Sequence, residues 1–220
     1  MSKEQIRQRI LEVGVIPAVR VTTAAEARFA AEAVADGGIP VIEITLTVQG
    51  ALEVIRELAS SPRKLIVGAG TVLDAETVGR CIDAGAHFIT GPAVKESVIR
   101  AAQERGSLVI PGAMTPTEIL QAWEYGADFV KVFPCSALGG ANYIRSLRRP
   151  FPKIPLIAAG GINQQNAAEY IRCGADVVGI GTGLVSPESV SHHELKRIRE
   201  LARRYLSIVA LARQPYQASS

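Results

Sequence analysis

One unit is written eight times along this chain: a short apolar run followed by a stretch of helical period. No other feature of the sequence restricts its fold as severely. The apolar runs fall at 15–20, 41–45, 65–69, 87–90, 108–112, 129–133, 155–159 and 176–181. The helical stretches between them fall at 23–36, 51–60, 75–84, 95–105, 116–124, 139–148 and 164–173. The runs lack strict alternation of apolar and polar residues, which is the pattern of parallel strands covered on both faces. Eight such units in one chain of 220 residues predict an α/β fold, a single (β/α)8 TIM barrel over about residues 14–190. The rival is an open doubly wound sheet. It would want fewer strands and a glycine-rich first turn, and the first turn here, Arg20-Val21-Thr22-Thr23, has no glycine.

The punctuation repeats as well. Gly85-Ala86, Gly126-Ala127 and Gly174-Ala175 each stand before a strand, and each glycine marks a helix exit in the left-handed conformation. Ahead of the barrel, Ile6, Ile10, Leu11 and Val13 predict a lead-in helix over 3–13. Behind it, Leu195, Ile198, Leu201, Leu206 and Val209 predict one extended helix over 191–211, and the polar stretch 214–220 is expected to fray. The whole chain, 1–220, reads as one domain.

Composition excludes several classes. With 24 basic against 21 acidic residues, the net charge of +3 is too small for a nucleic-acid footprint. Arg197, Arg199, Arg203 and Arg204 alternate with Glu194 and Glu200 and read as a solvated helix face. No run approaches the ~18 apolar residues of a membrane span, and Met1–Gln5 has no signal-like apolar core, so a cytoplasmic protein without membrane partners is expected. Cys81, Cys135 and Cys173 are far apart, and His87, His192 and His193 lack ligand spacing. No metal and no cofactor is expected.

The chemistry is expected at Phe129-Val130-Lys131-Val132-Phe133-Pro134, where a lysine interrupts an apolar strand. An unpaired buried charge is costly, and a neutral amine attacks ketones, so Lys131 reads as a Schiff-base nucleophile. Alternate barrel residues point inward, and active sites lie at the carboxyl ends of the strands. Phe129 and Phe133 share the parity of Lys131 and are expected to wall it. Glu43 and Thr45 share a parity on the second strand, Arg20 ends the first, and Gly68-Ala69-Gly70-Thr71 ends the third. Glu43 could shuttle protons beside the amine. A Lys131–Glu43 ion pair that merely fixes the core stays open as the plainer reading.

After the seventh and eighth strands come Ala158-Ala159-Gly160-Gly161-Ile162-Asn163 and Gly179-Ile180-Gly181-Thr182-Gly183. Bare glycine backbone at these two places can offer N–H groups to a phosphate, with helix N-termini adding positive potential. Tight turns alone would also use glycine. An imine-forming lysine facing a phosphate seat describes a phosphorylated 2-keto acid as substrate.

Glu43-Ile44-Thr45-Leu46-Thr47, Gly68–Leu73, Ile110-Pro111-Gly112 with Met114–Glu118, Lys131-Val132-Phe133-Pro134 and Gly160-Gly161-Ile162 occur in an order that closely resembles the 2-keto-3-deoxy-6-phosphogluconate/4-hydroxy-2-oxoglutarate aldolases, over about residues 5–190. The resemblance implies a class I aldolase of the Entner-Doudoroff pathway, a homotrimer of small barrels. It would give pyruvate and glyceraldehyde 3-phosphate from the phosphogluconate derivative, or pyruvate and glyoxylate from 4-hydroxy-2-oxoglutarate. By matching position, Lys131 would form the Schiff base and Glu43 would be the general acid/base. Arg20 and Thr71 would hold the carboxylate, Thr45, Pro92 and Phe133 would line the pocket, and Gly160, Gly161, Gly181 and Thr182 would bind phosphate.

The chain departs from the family at three places. Thr47 stands where many members have an arginine, Ala158-Ala159 replaces Pro-Thr, and Gly91-Pro92-Ala93 replaces Ser-Pro-Gly. Cys135 occupies a usually small position. The galactonate epimer is the alternative substrate. A metal-free phosphate-binding isomerase or epimerase would give no pyruvate adduct, and a silent trimeric binding protein would bind without cleaving.

Overall fold

The computed structural model describes residues 1–214; the expected frayed tail, except for Gln214, lies outside the described residues. In chain order the elements are α1 (Lys3–Val13), β1 (Val15–Val19), α2 (Ala24–Asp36), β2 (Val41–Thr45), α3 (Ala51–Ala59), β3 (Ile66–Gly70), α4 (Ala75–Asp83), β4 (Phe88–Thr90), α5 (Glu96–Glu104), β5 (Leu108–Ile110), β6 (Gly112–Ala113) and α6 (Pro116–Glu124). They continue with β7 (Val130–Val132), a 3-10 turn (Cys135–Leu138), α7 (Ala141–Arg148), β8 (Leu156–Ala159), α8 (Ala167–Arg172), β9 (Val177–Ile180), α9 (Pro187–Ser191) and α10 (Leu195–Ala212).

The strands are parallel and ordered β5-β4-β3-β2-β1-β9-β8-β7-β6. This is a TIM-type α/β barrel. The eight predicted strands become nine because the fifth is cut at Pro111, which has no N–H to give a ladder. The break lets one run of chain close the ring: β5 pairs with β4, β6 pairs with β7, and the Pro111 carbonyl still accepts the Lys131 N–H at 2.9 Å.

Local chemistry sets the element ends. Ser2, Thr23 and Thr115 each form a reciprocal capping box with Gln5, Glu26 and Glu118, which satisfies first-turn N–H groups of α1, α2 and α6. The three repeated helix exits take the expected conformation, with φ of 97° at Gly85, 91° at Gly126 and 108° at Gly174. The expected C-terminal helix is α10, which starts four residues later than the sequence suggests, and a separate short helix precedes it. Ser186 caps α9 with Pro187 in its first turn, and His193 then turns the chain at φ 53° before α10 begins.

The floor of the barrel is closed by α1, whose Ile6, Ile10 and Val13 are buried. Arg213, just past α10, donates to the carbonyls of Leu11, Glu12 and Asp176 and ties the two ends of the chain together. The carboxyl ends of the strands are left open. No helix among the described residues is long and apolar enough to cross a membrane.

Candidate active site

At that open end lies a cavity of about 220 Å³. The structure brings Arg20, Glu43, Lys131 and Phe133 into its lining, together with Gly160, Gly161, Gly181 and Thr182. Eight of the eleven residues singled out in the sequence therefore meet in one place. They arrive from β1, β2, β7, β8 and β9 by the inward parity of barrel strands.

Lys131 sits in β7 between two fully buried valines, and its own side chain is half-buried toward the cavity. Its Nζ lies 5.1 Å from the centroid of the Phe133 ring. Phe129 does not form the second wall that its parity suggests. It sits below, with the Arg7 guanidinium 5.7 Å above its ring, because two residues along a strand shift it toward the floor. Glu43 is only 4% exposed, and its Oε2 accepts the Thr90 hydroxyl at 3.2 Å. Among the described residues no ion pair joins Glu43 to Lys131, so the plainer reading of a structural pair is not the arrangement found. Arg20 stands exposed at the rim and likewise takes no protein acceptor among them.

Two glycine loops face this pair. Gly160 and Gly161 have φ of 89° and 78°, and a Cβ on Gly161 would lie 2.3 Å from Ser136 Oγ, so both turn geometry and space require glycine there. Gly181 is different. It has no positive φ and nothing within 4 Å of a Cβ, and it presents bare backbone to the cavity. The N–H groups of Gly161, Ile162, Thr182 and Gly183 donate to no protein acceptor among the described residues. The first N–H groups of the helices that follow are already taken. The chain leading into α8 is already tied by Asn163 and Asn166, and α9 is capped by Ser186. What converges on the cavity is loop backbone, a set of donors that suits an anion.

Three expected residues are not in the lining. Thr45 is fully buried; its hydroxyl donates to the Val19 carbonyl at 3.1 Å and lies 2.7 Å from Thr47 Oγ1, which fastens β2 to β1. Pro92 backs onto the split strand, where a Cβ on Gly112 would meet its carbonyl at 2.4 Å. Thr71 sits beyond β3 with φ 62°, an unusual conformation for a β-branched residue and a sign of stored strain at the rim. Cys135 turns away into the 3-10 turn, where burial pushes its thiol up to about 11 and keeps it protonated at neutral pH.

Sequence reasoning missed Thr90, which lines the cavity. It obeys the rule that found Glu43, a polar residue at the carboxyl end of an apolar strand (Phe88-Ile89-Thr90), but nothing in the sequence paired the two.

The fold and the site define a barrel enzyme: a parallel α/β barrel whose open mouth shelters an amine, a carboxylate and a ring of free backbone donors. The model of the family described as aldolase, KDPG and KHG aldolase, matches residues 6–201. A KHG/KDPG aldolase of Escherichia coli K12 is 32% identical over 197 residues, 89% of this chain and 92% of that one. A KDPG aldolase structure from Legionella pneumophila, with pyruvate captured as a covalent carbinolamine, has 30% identity and a TM-score of 0.83, covering 90% of this chain and 97% of that one. A structure described as native KDPGal has 32% identity and a TM-score of 0.81, covering 90% and 95%. The chain belongs to the KDPG and KHG aldolase family, whose members are lyases.

Proposed function

We propose that this chain is a class I aldolase that cleaves 2-keto-3-deoxy-6-phosphogluconate to pyruvate and glyceraldehyde 3-phosphate through a Schiff base on Lys131. The observation that carries the reading is the meeting of Lys131 and Glu43 in one cavity at the barrel mouth without an ion pair between them. The carbinolamine in the Legionella relative supports it by analogy.

In this reading the Lys131 amine attacks the C2 ketone, and Glu43 moves the protons that expel water and leave an iminium. Glu43 then takes the C4 hydroxyl proton. The C3–C4 bond breaks, its electrons flow into the iminium, and glyceraldehyde 3-phosphate departs. The resulting enamine is protonated at C3, and water hydrolyses the iminium to pyruvate and free Lys131. Arg20 pairs with the substrate carboxylate and sets the ketone against the amine. The N–H groups of Gly161, Ile162, Thr182 and Gly183 take the phosphate. Thr71 and Pro92 stand outside the lining of the cavity. The working form is a homotrimer on family grounds.

Galactonate specificity is the second reading, favoured by the similarity to the KDPGal structure and by Ala159 in the lining, a residue without a hydroxyl. Coupled pyruvate release from the gluconate substrate, its galactonate epimer and 4-hydroxy-2-oxoglutarate ranks the substrates. The primary reading predicts the largest kcat/KM for the gluconate derivative, and no pyruvate from any of the three would overturn the aldolase reading itself.

A further inference from the structure

We propose that Thr90 is a positioning residue for Glu43, and that glycine-lined β3 is the trough that lets the two meet. This rests on Glu43 being the acid/base of the proposed reaction. The bond needs an explanation because it skips a strand: Glu43 is on β2, Thr90 is on β4, and β3 lies between them. Any side chain on the inner face of β3 at that height would block it. The two positions concerned are Gly68 and Gly70. A Cβ on Gly70 would fall 2.1 Å from Glu43 Oε1, and one on Gly68 would fall 2.1 Å from the Phe88 ring. The Glu43 carboxylate therefore lies across bare β3 backbone, with Phe88 filling the same trough one pleat lower.

Thr90 is 1% exposed, and its hydroxyl donates to Glu43 Oε2 at 3.2 Å. A hydroxyl has one proton to give, and this one is committed to Oε2. Oε2 is thereby occupied and the plane of the carboxylate is fixed, which leaves Oε1 to exchange protons with a bound substrate. Loss of the hydroxyl frees the carboxylate to turn about its last bond. The amine, the arginine and the phosphate donors are untouched. Thr90 should therefore act on turnover rather than on substrate binding.

The test compares wild type with Thr90→Val, which keeps the branched shape without the donor, and Thr90→Ser, which restores the donor. Steady-state kinetics on the phosphogluconate substrate are combined with melting curves and with pyruvate–borohydride trapping. In Thr90→Val the expected result is a fall in kcat of about tenfold to a hundredfold with KM changed by less than about threefold. Recovery in Thr90→Ser to within about threefold of wild type completes the pattern. A Thr90→Val kcat equal to wild type, or a Thr90→Ser as slow as Thr90→Val, overturns the proposal. Wild type that neither turns over nor traps pyruvate overturns instead the reading of Lys131 and Glu43 on which the proposal stands.

Discussion

The two ends of this barrel treat polar groups in opposite ways. At the floor each is matched. After each repeated Gly-Ala comes a side chain that accepts the N–H of the neighbouring strand: His87 Nδ1 from Val67 at 3.2 Å, Asp128 from Val109 at 2.9 Å, and Asp176 from Leu156 at 2.7 Å. The carboxylates have cations too, Lys3 on Asp128 at 2.9 Å and Arg148 on Asp176 at 2.6 Å. At the mouth the Lys131 amine, the Arg20 guanidinium and four loop N–H groups have no protein partner among the described residues. The half-buried Lys131 amine and the loop N–H groups are costly to shelter unmatched, so the difference points to a floor built for stability and a mouth built for a ligand that brings the missing partners.

The contrast can be broken by variants that cross it. The largest effect is expected for Lys131→Met, which should abolish pyruvate release while the melting temperature holds or rises, since an unpaired amine leaves a sheltered site. Glu43→Gln should retain fold and substrate binding and lose about 10²–10⁴-fold in kcat, measured by coupled pyruvate release. On the floor the signs reverse. Asp176→Ala strands the Leu156 N–H and removes the one carboxylate on Arg148, which keeps its bonds to the Gly174 and Ile154 carbonyls, and chemical denaturation should show a loss of about 1–3 kcal/mol with kcat/KM near wild type. A floor variant that loses activity without losing stability would contradict the division.

The smallest effect concerns pH. Burial pushes the His87 imidazole below its ordinary value of 6.5, and its Nδ1 can accept the Val67 N–H only when unprotonated. A group depressed in the folded state contributes stability above its unfolded value and loses it as pH falls through the folded one. His87→Asn keeps an acceptor without a titration. It should therefore flatten the fall of the melting temperature that wild type is expected to show as pH drops below 6.5. An unchanged slope would remove His87 from the account.

Much of this division is legible in the sequence. The eight apolar runs, the three Gly-Ala exits and the inward parity of Lys131 and of Glu43, each within its own strand, follow from parity and turn chemistry, because these depend on near neighbours in the chain. What was hidden depends on distant ones. Pro111 lacks an N–H wherever it stands, but that the strand divides there into a half paired with β4 and a half paired with β7 shows only in the closed ring. Thr45 has the parity of a pocket residue, but a carbonyl on β1 claims its hydroxyl. Thr90 became visible as a partner of Glu43 only when β3 proved bare between them. Ser186-Pro187 did signal a helix start, which the apolar period of the following helix masked.

The central claim is that Lys131 forms a covalent imine with a 2-keto acid. Incubating the protein with pyruvate, adding borohydride and mapping the modified peptide by mass tests it directly. The account predicts one adduct per chain, the mass of pyruvate less one oxygen, on Lys131 and absent from Lys131→Met. A folded wild-type protein that carries no adduct, or carries it on another lysine, would contradict it.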